Sequence, residues 1–188
     1  MRIIRSLLII ATILTVSAFT TSEKKTIHIT QSQIIWKGKK ILGSHTGTIN
    51  IKEGYLEMED DLLSGGKFVV DMTSITVTDL KGEYKGKLER HLKSDDFFGI
   101  KNHPTATLLI NKATKNGNTY DVSGDITIKG ITHAIYFELE MGTTAATANL
   151  KIDRTKFGLR YGSGSFSDDL GDKAISDKFT LDVNLKFE

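Results

Sequence analysis

Five histidines, His28, His45, His91, His103 and His133, are scattered without the paired spacing of a zinc motif. Cysteine is absent, which removes thiolate metal sites, Cys nucleophiles, disulfides and lipid attachment through an N-terminal Cys. Ser163 and Ser165 lie in the string YGSGSF, which does not match a G-x-S-x-G elbow and has no base at a known spacing. The string reads as a flexible loop. Its backbone N–H groups, with Arg154 or Arg160 beside them, could cradle a phosphate, but no helix with P-loop spacing follows. His91, Lys93, Asp95 and Asp96 in HLKSDDFFG form a charged cluster with acid–base potential, although adjacent carboxylates more often mark a solvated turn or helix end. His133 falls in an apolar strand register and reads as a hydrogen-bonded interior residue. Trp36, the only Trp, anchors a strand or lines a pocket. No catalytic set, metal site or cofactor site follows from these residues, and the expectation is a protein that is not an enzyme.

The chain carrying them has 188 residues, 39% hydrophobic and 26% charged, with one Pro and 17 Gly. That suits one globular domain with a real core, and excludes a disordered polymer or a multi-span membrane protein. Arg2 and Arg5, the apolar run Leu7 to Val16 and the small-residue pattern Val16-Ser17-Ala18 predict a secretory signal over residues 1–18 and a mature domain over 19–188. The apolar run is shorter than the roughly 18 residues of a spanning helix, so no stable membrane span is expected after cleavage. Cleavage takes away two of the 25 basic residues and none of the 23 acidic ones, leaving 23 against 23. A near-neutral exported protein lacks the basic excess that a phosphate backbone demands, which argues against nucleic acid as a partner. The expected location is periplasmic or secreted.

From Ile27 onward the apolar residues recur with period two, the spacing of side chains on one face of a strand. Ile131, His133, Ile135, Phe137, Leu139 and Met141 alternate with polar or small neighbours, as do Phe179, Leu181, Val183, Leu185 and Phe187. Lys52-Glu53-Gly54, Asn116-Gly117 and Lys129-Gly130 read as hairpin turns, so the strands are antiparallel neighbours. Between Asp79 and Phe98 the period changes. Leu80, Tyr84, Leu88 and Leu92 recur every four residues, the pattern of a helix packed on the sheet. About eight or nine strands with one apolar face must form a sandwich or close into a barrel, with the helix across one end. The inverted arrangement, apolar outside, would make an outer-membrane barrel, but several predicted strands look shorter than the ~9–11 residues needed to span.

A barrel of this size is either filled by its own side chains or holds one small ligand. On the predicted inward faces, bulky Phe68, Phe137 and Phe179 are accompanied by Ala106, Gly124, Ala146 and Ala148. These small residues either fit the taper of a filled barrel or leave it partly hollow. A hollow apolar interior would suit an oily guest, because each buried methylene contributes about 0.8 kcal/mol.

Five strings in order, GGKFVVDMTSI (65–75), ERHLKSDDFFGIKNHPTA (89–106), GDITIKGIT (124–132), IDRTKFG (152–158) and ISDKFTLDVNLKF (175–187), resemble the YceI-like family of exported, lipocalin-like proteins. GSHTGTI (43–49) and LGDKAISD (170–177) resemble a subgroup within it. The chain departs from the family pattern at Gly99, where an acidic residue is common, and at His133-Ala134, where a basic residue and Pro often occur. The resemblance implies an all-β fold: an antiparallel lipocalin-like β-barrel of about eight strands, with one short helical segment near residues 79–98, enclosing a long apolar pore. It also implies an isoprenoid or other long-chain amphiphile, such as a polyprenyl phosphate or an isoprenoid quinone, as ligand.

Candidate tail contacts are Ile49, Ile51, Phe68, Val70, Leu108, Ile110, Ile126, Ile128, Ile135, Phe137, Leu181 and Val183. Candidate headgroup contacts, chosen for charge or hydrogen-bonding capacity, are His45, His91, Arg154 and Arg160. The expected role is non-catalytic binding, transport or sequestration, with a homodimer left open. The alternatives are an enzyme acting on an amphiphile through the His91–Asp96 cluster and a filled barrel serving as a stress-related interaction module.

Overall fold

The computed structural model describes residues 22–168 and 170–187. The signal segment expected at 1–18 lies outside them. Eight strands follow in order: β1 (Lys24–Lys40), β2 (Gly43–Glu59), β3 (Leu62–Val77), β4 (Thr105–Asn116), β5 (Thr119–Ile128), β6 (Ile131–Met141), β7 (Ala145–Asp153) and β8 (Ile175–Phe187). Helix α1 (Gly82–Lys93) interrupts them between β3 and β4. Each strand pairs antiparallel with the next, and β8 pairs with β1, so the barrel is closed. Closure removes most of the exposed edges that an open sheet would present; β6 and β7 pair only through Leu139–Met141 and Ala146–Ala148, so their loop-end halves are not joined.

The expected barrel of about eight strands with one helix is what the chain forms. Two of the three expected hairpins sit where the turn residues are. Lys129 and Gly130 have φ of 52° and 77°, the two positive values of a type I′ turn. In the β4–β5 hairpin the central residues are Gly117 and Asn118, one place later than expected, and Gly117 alone of the pair has positive φ, 60°. The third expectation fails. Lys52-Glu53-Gly54 makes no turn; β2 runs straight through it, with a register shift between Ile51 and Glu53. A bulge takes up the extra residue. Gly54 is there because the Phe68 ring crosses it: a Cβ would stand 2.5 Å from Phe68 Cδ1. The β2–β3 turn comes later, at Asp60-Asp61, both with positive φ.

No strand is shorter than the nine residues of β7, so short strands do not exclude an outer-membrane barrel as expected. The faces do. The interior holds Ile34, Leu56, Ile126 and Leu150, while Lys37, Glu57, Lys67 and Glu138 stand exposed on the wall.

The two barrel ends differ. At the closed end, β2–β3, β4–β5 and β6–β7 turn within two or three residues. At the loop end, residues 78–104 and 154–174 make long excursions. Helix α1 is pinned there by Glu89, whose Oε1 accepts from Thr76 Oγ1 (2.6 Å) and the Val77 N–H (2.9 Å). Leu80 and Leu88 pack on the core and Leu92 is buried. Tyr84, expected on that stripe, is instead exposed, because the helix has barely begun and has not yet met the sheet. After α1 the chain turns at Gly99, whose φ of 56° explains the departure from an acidic residue there: glycine adopts that conformation without a Cβ clash.

Candidate functional site: the barrel lumen

Two core clusters fill the two ends. One, at the closed end, includes Leu56, Leu63, Tyr120, Ala146 and Phe187. The other, at the loop end, includes Trp36, Val77, Leu92, Phe97, Phe98 and Leu159. Between them lies a belt of inward-facing apolar residues, Ile51, Leu108, Phe137, Ala148 and Val183, that touch both clusters yet stay only half-buried. Pointing inward should bury them fully. They are not, because the barrel does not fill its own middle.

The space left is a cavity in which the centre of a water-sized sphere can move through about 160 Å³. An apolar cavity of roughly 150 Å³ stays dry and takes up benzene or xenon. Of the twelve expected tail contacts, all but Ile135 line this cavity. Ile135 is buried in the loop-end cluster, packed behind the lining. Ile34, Leu139, Leu150 and Leu185 line it too; they share the period-two register of the expected residues and were accessible to the same reasoning. Phe97 and Phe98, also lining, carried no such signal, since they follow a helix as adjacent loop residues. Their rings meet edge to face at 5.0 Å and Phe98 reaches Phe179 across 6.5 Å, which plugs the loop end.

Trp36 both packs and lines. Its Nε1–H donates to the Thr76 carbonyl (3.2 Å), and its indole lies over Gly47, where a Cβ would stand 2.6 Å from the ring.

Among the expected headgroup residues only Arg154 reaches the lumen, and it is largely engaged elsewhere. At the end of β7, Asp153 Oδ1 accepts from the Thr155 N–H and Oγ1, starting a short 3-10 turn over Arg154–Phe157. That turn aims the Arg154 side chain back under the following loop. The guanidinium, 2% exposed, donates to the carbonyls of Ser176, Ile175, Leu159 and Tyr161 at 2.7–3.0 Å and lies 3.8 Å from Asp177. Burial pulls its pKa down while Asp177 and Asp153 oppose that shift; an arginine nevertheless keeps its charge. Arg154 therefore organises the loop between β7 and β8 as well as facing the cavity.

The other three lie outside the lining. His45 Nδ1 pairs with Asp79 Oδ2 at 2.9 Å, beside the root of α1. His91 sets its ring against Tyr161 (4.3 Å) and Phe97 (5.7 Å), and its Nε2 is buried without a partner. Arg160 stacks on Phe166 at the surface. Charge and polarity alone do not tell which way these side chains point, and loop packing decided it.

The segment around Ser163 is not the loose loop expected. Ser163 is 1% exposed, and its hydroxyl and that of Ser165 each bond Asp177 at 2.5 Å, holding that carboxyl below the usual carboxylate range. The N–H groups of Ser163, Ser165 and Phe166 are bonded within the loop, so these three are not offered to a phosphate. The His91–Asp96 cluster does not assemble either: Asp95 and Asp96 are exposed, and Lys129 Nζ binds the carbonyls of Asp95 and Phe97. His133 is a half-buried strand residue whose Nε2–H donates to the Lys156 carbonyl (3.0 Å).

A closed eight-stranded barrel with an unfilled apolar middle and a helix at one end matches the resemblance noted above, and the model of the YceI-like domain fits residues 26–187. The chain belongs to the YceI-like family. Curated relatives include a UPF0312 protein of Pectobacterium atrosepticum, 25% identical over 95 residues, and Protein YceI of Escherichia coli O157:H7, 32% identical over 53 residues. The first match covers 50% of this chain and 47% of the relative, the second 28% of each, so the matched stretch spans at most about half of either curated relative. Among solved structures, BcnA of Burkholderia cenocepacia superposes with a TM-score of 0.66 at 19% identity, covering 82% of this chain and 94% of that one. A polyisoprenoid binding domain from Saccharophagus degradans, implicated in plant cell wall breakdown, superposes with a TM-score of 0.59 at 15% identity, covering 87% and 97%. At these identities the superpositions show that the YceI-like barrel is shared.

Proposed function

We propose that this YceI-like barrel is a non-catalytic binding protein that carries or sequesters one isoprenoid or other long-chain amphiphile with its tail in the lumen. The observation that carries the reading is the half-buried apolar belt. Ile51, Leu108, Phe137, Ala148 and Val183 face inward and pack against both clusters yet stay only half-buried, and a hydrocarbon chain would complete their burial. Apolar transfer supplies the affinity and lumen shape the selectivity. The neighbour described as a polyisoprenoid binding domain supports an isoprenoid as guest. The unfilled middle argues against a filled-barrel module, and the separated His91 and Asp96 lend nothing to an enzyme.

Export belongs to the same reading. It is supported by the basic start, apolar run and small-residue pattern of residues 1–18, and places the carrier in the periplasm or outside the cell. Native mass spectrometry of gently purified protein, followed by lipid extraction, tests the reading. A single bound lipid, or 1:1 uptake of an added polyprenol or isoprenoid quinone, is expected. Protein that is always empty and takes up neither of them would overturn it.

A further inference from the structure

At the loop end the lumen and a surface pocket lie on either side of the same two residues. Ile175 and Ser176 line the lumen on one side, and on the other they line the pocket, shared with Lys40, Ile41, Gly164, Ser165, Ala174 and Asp177. The strand pairing loosens at the same place. Gly38 pairs with Phe179 but Lys40 pairs with Ile175, so two residues of β1 are spanned by four of β8. The pairing of the first and last strands is thus irregular beside that surface pocket.

Around this pocket the surface changes character. The β1–β2 hairpin presents Ile41 and Leu42 at its tip, 61% and 68% exposed. Tyr161 and Phe166 stand exposed on the adjacent loop. The hairpin and loop form one surface: the Ile41 N–H donates to the Ala174 carbonyl (3.2 Å), and the Ile175 N–H donates to the Gly162 carbonyl (2.7 Å). Lys37, Lys39 and Lys40 flank the tip, and no acidic residue occurs between Lys24 and Lys52. On the adjacent loop Asp177 is engaged by Ser163, Ser165 and Arg154, while Asp168 and Asp172 stand exposed beside Lys173. At the closed end, among the described residues, Leu62 is the only large hydrophobic side chain left exposed.

We infer that the loop-end rim is a membrane-docking surface, with Ile41 and Leu42 entering the interface of an anionic bilayer and Lys37, Lys39 and Lys40 meeting its headgroups. An apolar tip ringed by lysines has the chemistry of an interfacial anchor: apolar burial supplies one part of the binding and attraction to anionic lipid the other. A soluble protein partner could also cover apolar residues. The position of these residues on the hairpin tip nearest the lumen's loop end, with three lysines flanking it and no acid on the hairpin between Lys24 and Lys52, favours a lipid surface. The inference extends the proposed carrier role, but docking can be read without any guest.

Co-sedimentation with vesicles of phosphatidylcholine, with and without phosphatidylglycerol, tests it. The protein is expected to bind the anionic vesicles, less so as salt rises. Ile41→Ser with Leu42→Ser should weaken that binding about tenfold or more, given the apolar transfer lost. Leu62→Ser, at the closed end, should bind as the unaltered protein does. The double variant should still take up a polyprenol from detergent, which shows that it is folded. Absence of vesicle binding, or equal binding by the double variant, would overturn the docking surface. A dimer in analytical ultracentrifugation that the same double substitution dissociates would overturn it too, in favour of a contact between copies of this chain. Vesicle binding by a protein that takes up no guest would leave docking intact and defeat the carrier reading instead.

Discussion

The two ends of the barrel solve the same closure problem in different ways. At the closed end, three short turns and an apolar cluster that includes Leu63, Tyr120, Ala146 and Phe187 make the floor, and side chains such as Leu56 and Leu185 at its upper face line the cavity. At the loop end, long connections, a helix, an aromatic plug and a buried arginine do the closing. Tight turns make a floor that has little reason to move. The loop end is held instead by a few polar contacts, Arg154 on four carbonyls and Glu89 on the end of β3, which can be weakened singly. On the proposed carrier role, the guest's route belongs at the second.

The largest effect should come from breaking the loop end's main support. Arg154→Ala leaves four carbonyls without their donor, and removing one partner of a buried charged network costs about 3–5 kcal/mol. Urea denaturation should show that loss, with hydrogen exchange fastest over residues 159–176. Leu56→Ala strikes the floor and should cost about 2–5 kcal/mol, with 3 a central value, by leaving a cavity where the side chain is 0% exposed. Its unfolding should remain cooperative over the whole barrel.

A sharper comparison uses two alanines of β7, two residues apart on the same inward face. Ala146 is 1% exposed in the closed-end cluster and pairs with Leu185, whereas Ala148 sits in the half-buried belt and pairs with Val183. Ala146→Phe should overpack the floor and cost about 1–3 kcal/mol in thermal or urea unfolding. Ala148→Phe should change stability by less than about 1 kcal/mol, because it grows into open space, and should abolish guest uptake. Equal cost at both positions would mean that the middle is as full as the floor.

The smallest effect concerns pH and also separates the ends. Thr76 and Val77 hold the Glu89 carboxyl below its ordinary pKa, and Ser163, Ser165 and then Arg154 do the same for Asp177. A depressed folded pKa contributes stability that is present above the unfolded value and lost as pH falls through the folded one. Both groups lie at the loop end. Lowering the pH from 6 to below about 4, the ordinary carboxylate range, should therefore speed hydrogen exchange in α1 and residues 159–177 before it affects β4 and β5 at the closed end.

Much of this architecture was legible in the sequence because a barrel strand with one apolar face writes its register as period two. That rule brought Ile49, Leu108, Ile126 and Val183 to one lumen from four separate strands. It could not tell the lining from the layer behind it, which is why Ile135 was expected in the cavity. Glycine misled where its reason was contact rather than turning: Gly54 lies under Phe68 in mid-strand, and its polar neighbours imitate a hairpin. The polar residues were hardest. Arg154 and Ser163 look like ligand groups at a Gly-Ser loop, but hydrogen bonds to Leu159 and Tyr161 nearby and to residues 175–177 on the far side of the loop turn them inward to hold it together. Nothing local in the sequence announces such partners.

The central claim is that a foreign hydrocarbon occupies the middle of the barrel, and Trp36, the only Trp and a lining residue, can report it. Titration with a long-chain lipid brominated along its tail should quench Trp36 fluorescence saturably, at one lipid per barrel, and Ala148→Phe should abolish the effect. Quenching that never saturates, or that persists unchanged in the filled variant, would contradict the account.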